Sequence, residues 1–187
     1  MRRKDRKMDK EFGADIIDKS KYGILSMIDA DKISYGVPLS IVKDKNTLYF
    51  HSAKEGRKAS ILKRSPNVSV VFVGDVKVPE NFTKEELDEF AQDESKAAVF
   101  ISSVFTTEYE SAIVTGKVVL VDDEGEKVNA MRLICDKYAS SKMDYFDIAI
   151  KAGLNKVDVY KIEIENITAK RKKYDKNGVE MKYGRME

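Results

Sequence analysis

The stretch from 48 to 58 contains the residues with the clearest chemical potential, reading Leu-Tyr-Phe-His-Ser-Ala-Lys-Glu-Gly-Arg-Lys. An arginine fork can bind two phosphate oxygens, whereas a lysine acts as a point charge, and a serine hydroxyl can donate a further hydrogen bond. A glycine lets a ligand approach the backbone closely. The stretch therefore predicts a phosphate site. Its polar, cationic and glycine members are His51, Ser52, Lys54, Gly56, Arg57 and Lys58.

A helix is expected to begin within this stretch. Ser52 and Glu55 have capping-box spacing, and the residue before Pro66 avoids the α region, so the helix is predicted from 52 to just before Pro66. A helix start adds unpaired N–H groups and partial positive charge, which favour an anion. The motifs G-x-x-x-x-G-K-[ST] and G-x-G-x-x-G are absent from the sequence, which argues against Walker-type nucleotidases and dinucleotide folds.

His51 is the only histidine in the sequence. A lone imidazole gives no support for a metal site or a catalytic triad, and none is predicted. Three roles stay open for it: a polar residue at a strand end, a contact to a flavin or substrate, and a proton donor or acceptor, because imidazole titrates near neutrality. It is the one candidate for a catalytic group.

The composition bounds the class of protein. The chain has 187 residues, 42% hydrophobic and 35% charged, which predicts one domain over 1–187. We expect a cytoplasmic protein without a membrane segment, because no apolar run is long enough to span a bilayer and acids follow the basic start. The single cysteine, Cys135, lies in an apolar-periodic stretch and is expected to be buried.

Net charge is +2, so the sequence as a whole makes no case for nucleic acid. Basic residues crowd the first ten positions and a C-terminal tail at about 170–187. Solvated surface is the simpler interpretation of both ends, and contact with phosphate or nucleic acid is the alternative. The lack of an interleaved aromatic and basic stripe argues against nucleic acid.

The spacing of apolar residues predicts an α+β fold built on an antiparallel barrel. A helix over 8–20 with Ile16 and Ile17 inward precedes three strands, at 22–28, 33–42 and 47–50, whose short links indicate an antiparallel meander. In the second strand apolar and small residues alternate, so one face is apolar and the other small and open. Pro38 cannot donate a hydrogen bond, so it is expected at an edge, a bulge or a gap of the sheet, and a gap could hold a flat ligand. Further predictions are strands 68–73, 111–121 (broken at Gly116) and 156–164, and helices 83–91, 126–138 and 145–152.

A segment at about 75–103 separates two good strands and is too long for an ordinary loop, so it predicts a helical insertion. Its acidic part has Leu87 and Phe90 three residues apart, which is typical of a surface helix packed by two side chains. The alternative is a lid beside a ligand cleft.

Four blocks lie in an order that resembles a known family. They read Met-Arg-Arg-Lys-Asp-Arg at 1–6, Tyr-Gly-Val-Pro-Leu-Ser at 35–40, the stretch at 48–58, and Phe-Thr-Thr-Glu-Tyr-Glu-Ser-Ala-Ile-Val-Thr-Gly-Lys at 105–117. Together they resemble the nitroimidazole-resistance (Nim) branch of the pyridoxamine 5'-phosphate oxidase-like flavoproteins. The resemblance implies a six-stranded antiparallel split β-barrel with flanking helices, and a homodimer holding two FMN molecules at the subunit interface.

The resemblance also implies a role for each matching position. The strand that would run along the isoalloxazine is formed by Val37, Pro38, Leu39 and Ser40. Two residues, Phe50 and His51, would lie beside the ring and ribityl chain. The phosphate would be held by Ser52, Lys54, Arg57 and Lys58, with Gly56 allowing close approach. A further strand lining the same cleft would contribute Tyr109 and Ser111.

The function implied is that of an FMN-dependent oxidoreductase resembling 5-nitroimidazole reductases, with a small nitro-aromatic or similar acceptor and NAD(P)H as the candidate donor. The alternative is an FMN-binding module, a flavin carrier or redox sensor without efficient turnover. Deazaflavin and haem, bound by cousins of the barrel, are alternative cofactors. Vitamin oxidation is not predicted, because the charged C-terminal stretch and the lack of tryptophan leave no recognisable pyridoxal-phosphate segment.

Overall fold

The computed structural model describes residues 2–175 and 178–182. Within them one sheet of eight strands forms, not the six predicted. The strands are β1 (Lys7–Met8), β2 (Gly23–Ile28), β3 (Ser34–Leu39), β4 (Val42–Asp44), β5 (Thr47–Ala53), β6 (Asn67–Lys77), β7 (Glu108–Leu120) and β8 (Val157–Lys172). The helices are α1 (Lys10–Lys19), α2 (Arg57–Leu62), α3 (Lys84–Ala91), α4 (Ala97–Val99), α5 (Glu124–Ala139) and α6 (Phe146–Gly153).

The sheet curves around one core but does not close. Its order is β3-β2-β6-β7-β8-β5-β4, every pairing is antiparallel, and β1 joins β8. Buried side chains from both arms meet in the same cluster, for example Leu25 of β2 and Phe50 of β5. In the described residues β3 and β4 end the order without pairing to each other, which leaves the barrel split.

The antiparallel meander predicted for the first three strands is confirmed for each of its two hairpins, but the hairpins do not form one continuous run of strands. The expected strand 33–42 divides at Ser40 and Ile41, so that β3 pairs with β2 whereas β4 pairs with β5. Strand β5 then pairs with β8, which comes from the far end of the chain. The short links predicted both local pairings correctly. Burial of both arms in one core favours a chain that crosses the split at Ser40 and Ile41.

Helices cover one end and one side of the barrel. Helix α1 begins at the Asp9 cap and buries Ile16 and Ile17, as predicted. Helix α5 lies on the outer face of β4, β5 and β8, where Ala130 and Ile134 are buried. Cys135 was predicted to be buried, but it is only half-buried. Partial burial and, to a smaller extent, the negative charge of Asp136 raise the pKa of its thiol.

The predicted helix start at Ser52 was also wrong. Strand β5 continues to Ala53, because it keeps pairing with β8 as far as Val157. The chain then turns at Gly56, whose φ of 107° suits glycine, and α2 begins at the next residue. With six residues in α2, its N-terminus adds less to an anion site than a long helix would.

Strand β8 extends to Lys172, beyond the predicted end at 164. The first residues of the predicted basic tail therefore lie in the sheet, whereas 176, 177 and 183–187 lie outside the described residues, as does Met1 of the first resemblance block. The expected break at Gly116 is a shift in register between β7 and β8. Within the described ranges, no helix is both long and apolar enough to cross a membrane.

The segment expected as an insertion carries α3, which starts from a Thr83 capping box. Leu87 and Phe90 are half-buried, and Phe90 packs edge-on against Phe82 with ring centroids 5.4 Å apart. Farther along, Tyr174 next to β8 donates to the Ser102 carbonyl at 2.5 Å. The segment is thus packed locally and tied to the sheet at its C-terminal side.

Candidate functional site

The polar stretch lies where β5 ends and α2 begins. Of its cations, Lys54 and Arg57 are exposed and Lys58 is half-buried. Ser52 is buried in the strand, and its hydroxyl donates to the Ala53 carbonyl at 2.9 Å instead of capping a helix. Beside Gly56 there is open space, since no described atom would lie within 4 Å of a Cβ at this position.

His51 lies on the outer face of β5 and is half-buried. Its Nδ1 atom is buried and has no hydrogen-bond partner among the described residues. Burial, and then the positive charge of Lys58, lower the pKa of this imidazole. Burial also lowers the pKa of Lys58. Both side chains thus lose part of the solvation that their charged forms would have in water, and the charge of Lys58 acts on the imidazole.

Arg57 faces the other way, toward the turn between β2 and β3. Its Nη2 donates to Asp29 Oδ2 at 2.9 Å, and its guanidinium carbon lies 4.6 Å from the centre of the Tyr35 ring. The Asp29 carboxyl pKa is lowered by a backbone hydrogen bond from Ile33 and by Arg57. Of the cations expected to hold a phosphate, Arg57 is thus partly engaged by Asp29.

Strand β3 contributes an edge, as Pro38 indicated. Val37 and Leu39 pack against the barrel core, whereas Pro38 and Ser40 are exposed on the outer face. The outer face of the strand thus presents small residues, with its backbone at the margin of the sheet.

Phe50 does not face a ligand with its side chain. It is fully buried and stacks on Tyr160 with ring centroids 5.3 Å apart. Because side chains alternate along a strand, Leu48 and Phe50 share the inner face and His51 takes the outer one. Because the whole residue is buried, Phe50 exposes no atom to a bound molecule within one chain.

Tyr109 and Ser111 lie far from the polar stretch within one chain. Ser52 pairs with Asp158 of β8, and Ser111 pairs with Lys170 of the same strand. At roughly 3.3 Å per residue, these two partners are about 40 Å apart along the strand. One chain alone does not bring Tyr109 and Ser111 to the residues around His51.

Two residues at the end of α5 were missed as site components. Tyr138 Oη accepts from the Ile41 N–H at 3.0 Å and donates to the Ile41 carbonyl at 2.7 Å. Lys137 Nζ donates to the carbonyls of Ile41 and Ile17, at 3.2 and 2.9 Å. This clamp (Lys137 and Tyr138) fastens the backbone that crosses the split just after Ser40. Apolar periodicity placed Tyr138 on the packed face but could not show its hydroxyl partner.

Comparison with known proteins bears on this arrangement. A family model described as pyridoxamine 5'-phosphate oxidase matches residues 9–171. Among curated protein sequences, none matches the chain.

Several solved structures share the fold. A candidate 5-nitroimidazole antibiotic resistance protein from Bacteroides thetaiotaomicron is 26% identical, with a TM-score of 0.65 over 87% of this chain and 84% of that one. An FAD-binding protein from Mesorhizobium loti is 18% identical, with a TM-score of 0.56 over 89% and 96% of the two chains. An FAD and haem binding protein from Mycobacterium smegmatis is 14% identical, with a TM-score of 0.66 over 89% and 73%. The last two similarities concern the fold alone.

Proposed function

Because the chain belongs to the pyridoxamine 5'-phosphate oxidase family, we propose that it is a flavoprotein that binds FMN and reduces small nitro-aromatic or similar acceptors. The observation that carries the proposal is the pair formed by His51 and Lys58. His51, near the end of β5, has a buried imidazole nitrogen without a described partner, and Lys58, in the first turn of α2, is partly desolvated. The charge of Lys58 acts on the imidazole. Buried polar groups are normally satisfied, so this pair is suited to a polar, anionic ligand.

The residues around this pair fit a flavin phosphate. A phosphate near Lys58 would restore the interactions that its ammonium loses on burial, and Lys54 and the open backbone at Gly56 lie in the intervening turn. Ser40 and Pro38 offer an exposed strand edge for a flat ring. When bound, the flavin would supply the electron-transfer chemistry, and the chain's own residues would bind and orient it.

The acceptor class rests on a narrower basis. The structure from Bacteroides thetaiotaomicron, described for 5-nitroimidazole resistance, is 26% identical over most of both chains. That similarity supports a nitro-aromatic acceptor for this chain. As electron donor we propose a reduced nicotinamide.

We also propose that the protein works as a homodimer with FMN between the subunits. The outer face of β3, β2, β6 and β7 carries a row of residues in mutual register, Pro38, Ile24, Val71 and Ile113. The members of this row are exposed or half-exposed. A second copy on this face could bring its Tyr109 and Ser111 toward the first chain's His51, which one chain cannot do.

The test of cofactor binding uses the full chain and two matched variants. Removing the charge with Lys58→Met should weaken FMN binding about tenfold or more, since charge-assisted hydrogen bonds contribute roughly 1.5–3 kcal/mol. Lys84→Met, at an exposed lysine of α3, is the control. Equal FMN affinity in the wild-type protein and Lys58→Met would contradict the assigned site.

Turnover is tested separately on FMN-loaded protein with NAD(P)H and a nitroimidazole. Nicotinamide-dependent loss of the nitro-group absorbance is expected. A bound flavin that no nicotinamide reduces would favour a carrier or sensor instead.

A further inference from the structure

A cleft of about 410 Å³ lies between α2 and the turn that joins β2 to β3. Its volume falls in the range of small-molecule sites, roughly 300–1,000 Å³. The cleft is lined by Ile28, Asp29, Ala30, Asp31, Arg57, Ser60, Ile61, Arg64 and Ser65. We call it the Arg57–Arg64 cleft.

One wall of the cleft is a single helical face. This wall begins at Arg57, and its other residues follow three, four and seven positions later: Ser60, Ile61 and Arg64. This spacing places the four side chains one above another on α2 and the turn after it. The wall therefore presents guanidinium groups at both ends, with a hydroxyl and an apolar side chain between them.

The opposite wall comes from the β2–β3 turn and holds Arg57 in place. Asp29 accepts from the backbone N–H groups of Asp31 and Ile33, at 3.0 and 2.9 Å, and its second oxygen receives Arg57. The Tyr35 ring supports the flat side of the same guanidinium. Arg57 nevertheless stays 52% exposed, so part of its five-donor fork is available to a ligand.

The cleft begins where the proposed flavin site ends. Arg57 and Lys58 are consecutive, so Arg57, which binds Asp29 at the wall of the cleft, is the chain neighbour of the lysine in the proposed flavin site. Open space lies beside the backbone at Gly56. A ligand whose phosphate lies at Lys58 could therefore pass Gly56 and continue into the cleft.

We propose that the Arg57–Arg64 cleft binds the adenosine diphosphate group of a dinucleotide. The arginines and the hydroxyls of Ser60 and Ser65 suit phosphate oxygens. Apolar Ile28 and Ile61 offer a surface for the adenine ring, and the Asp31 carboxylate can accept from ribose hydroxyls. The inference rests on the proposed function, because the group belongs either to the second nucleotide of FAD or to the nicotinamide donor.

The experiment compares Arg64→Met with Lys63→Met, a neighbouring exposed cation outside the cleft lining. Affinities of the full chain are measured for FMN, FAD and ADP, and of the FMN-loaded chain for NADPH. We expect Arg64→Met to weaken ADP binding about tenfold and to leave FMN binding unchanged, and Lys63→Met to change neither.

The remaining titrations identify the source of the group. An FAD affinity at least tenfold above that for FMN, lost in Arg64→Met, assigns the cleft to FAD. Equal flavin affinities with NADPH binding weakened in Arg64→Met assign it to the donor. The inference is overturned if ADP does not bind, or if Arg64→Met and Lys63→Met affect it alike. Absence of flavin binding would instead overturn the proposed function. The ADP titrations would still test whether the cleft binds this group.

Discussion

At the scale of single residues, His51 is the most informative group because its titration reports on its burial and on the nearby charge. Burial and Lys58 both lower the pKa of its imidazole below the ordinary 6.5. As it is the only histidine in the chain, its ring-proton signals can be followed by NMR without further assignment. We expect a titration midpoint below 6.5, moved upward in Lys58→Met because one repulsive charge is gone. A midpoint that does not respond to Lys58→Met would show that the two side chains do not face each other.

The same group should make stability depend on pH. A histidine whose pKa is lowered by folding takes up its proton more readily in the unfolded chain, so the free energy of unfolding falls as pH drops below 6.5. Above pH 6.5 the His51 imidazole is mostly neutral in both the folded and the unfolded chain, so it should have little effect on stability. The loss is at most about 1.4 kcal/mol per pH unit. Urea titrations at pH 7.5 and 5.5 should show a larger loss for wild-type protein than for His51→Gln, and equal losses would contradict this assignment.

Residue types were easier to predict than the directions of their side chains. The cations and His51 were identified from the sequence, but the ion pair that holds Arg57 against Asp29 was not. Its partner lies 28 positions away in the chain. Alternation along β5 did contain the signal that Phe50 points inward, because Leu48 and Phe50 share one face.

At the scale of elements, the clamp formed by Lys137 and Tyr138 connects α5 to the split. Tyr138→Phe removes both hydrogen bonds to Ile41 and leaves its backbone groups partly unsatisfied, which should cost about 1–3 kcal/mol of unfolding free energy. Amide exchange at Ile41 should quicken as well. Tyr145→Phe, at an exposed tyrosine, is the matched control and should change neither measurement. Unchanged exchange in Tyr138→Phe would show that the clamp does not hold the split.

The shift in register at Gly116 leads to a second prediction at this scale. A Cβ at Gly116 would collide with the Glu163 carbonyl and approach Ile162 Cγ2 to 3.0 Å, so Gly116→Ala should force β7 and β8 apart. We expect a loss of roughly 3 kcal/mol or more by urea unfolding, typical of severe steric strain in a core. Gly153→Ala, where no described atom lies within 4 Å of the new methyl, should be near neutral.

Local signals predicted most helices and strands but not their partners. The caps of α1 and α3 and the glycine in β7 are encoded within a few residues, and these elements lie close to their predicted positions. Pairing of β5 with β8, more than a hundred residues later in the chain, has no local signal. That pairing keeps Ser52 in a strand, which is why the helix predicted to start at Ser52 was wrong.

At the scale of the whole molecule, the two halves of the sheet differ in what covers their outer faces. Helix α5 covers the outer face of the β4, β5 and β8 side with a second hydrophobic cluster. The β3, β2, β6 and β7 side keeps the row from Pro38 to Ile113 outside. An antiparallel sheet can leave one face to water, but an aligned apolar row across four strands is better explained by a partner.

The homodimer proposed for this face predicts that assembly and flavin binding fail together. Ile113 is 41% exposed at one end of the row, and Ile113→Lys would place a charge in the contact. Light scattering after gel filtration should show a dimer for wild-type protein and a monomer for Ile113→Lys. FMN affinity should fall at least tenfold, because the partner's Tyr109 and Ser111 would be lost. Ile148→Lys, at a 71% exposed isoleucine of α6, should leave both unchanged. A wild-type monomer that binds FMN normally would contradict the two-chain site, whereas an Ile113→Lys dimer would place the contact on another face.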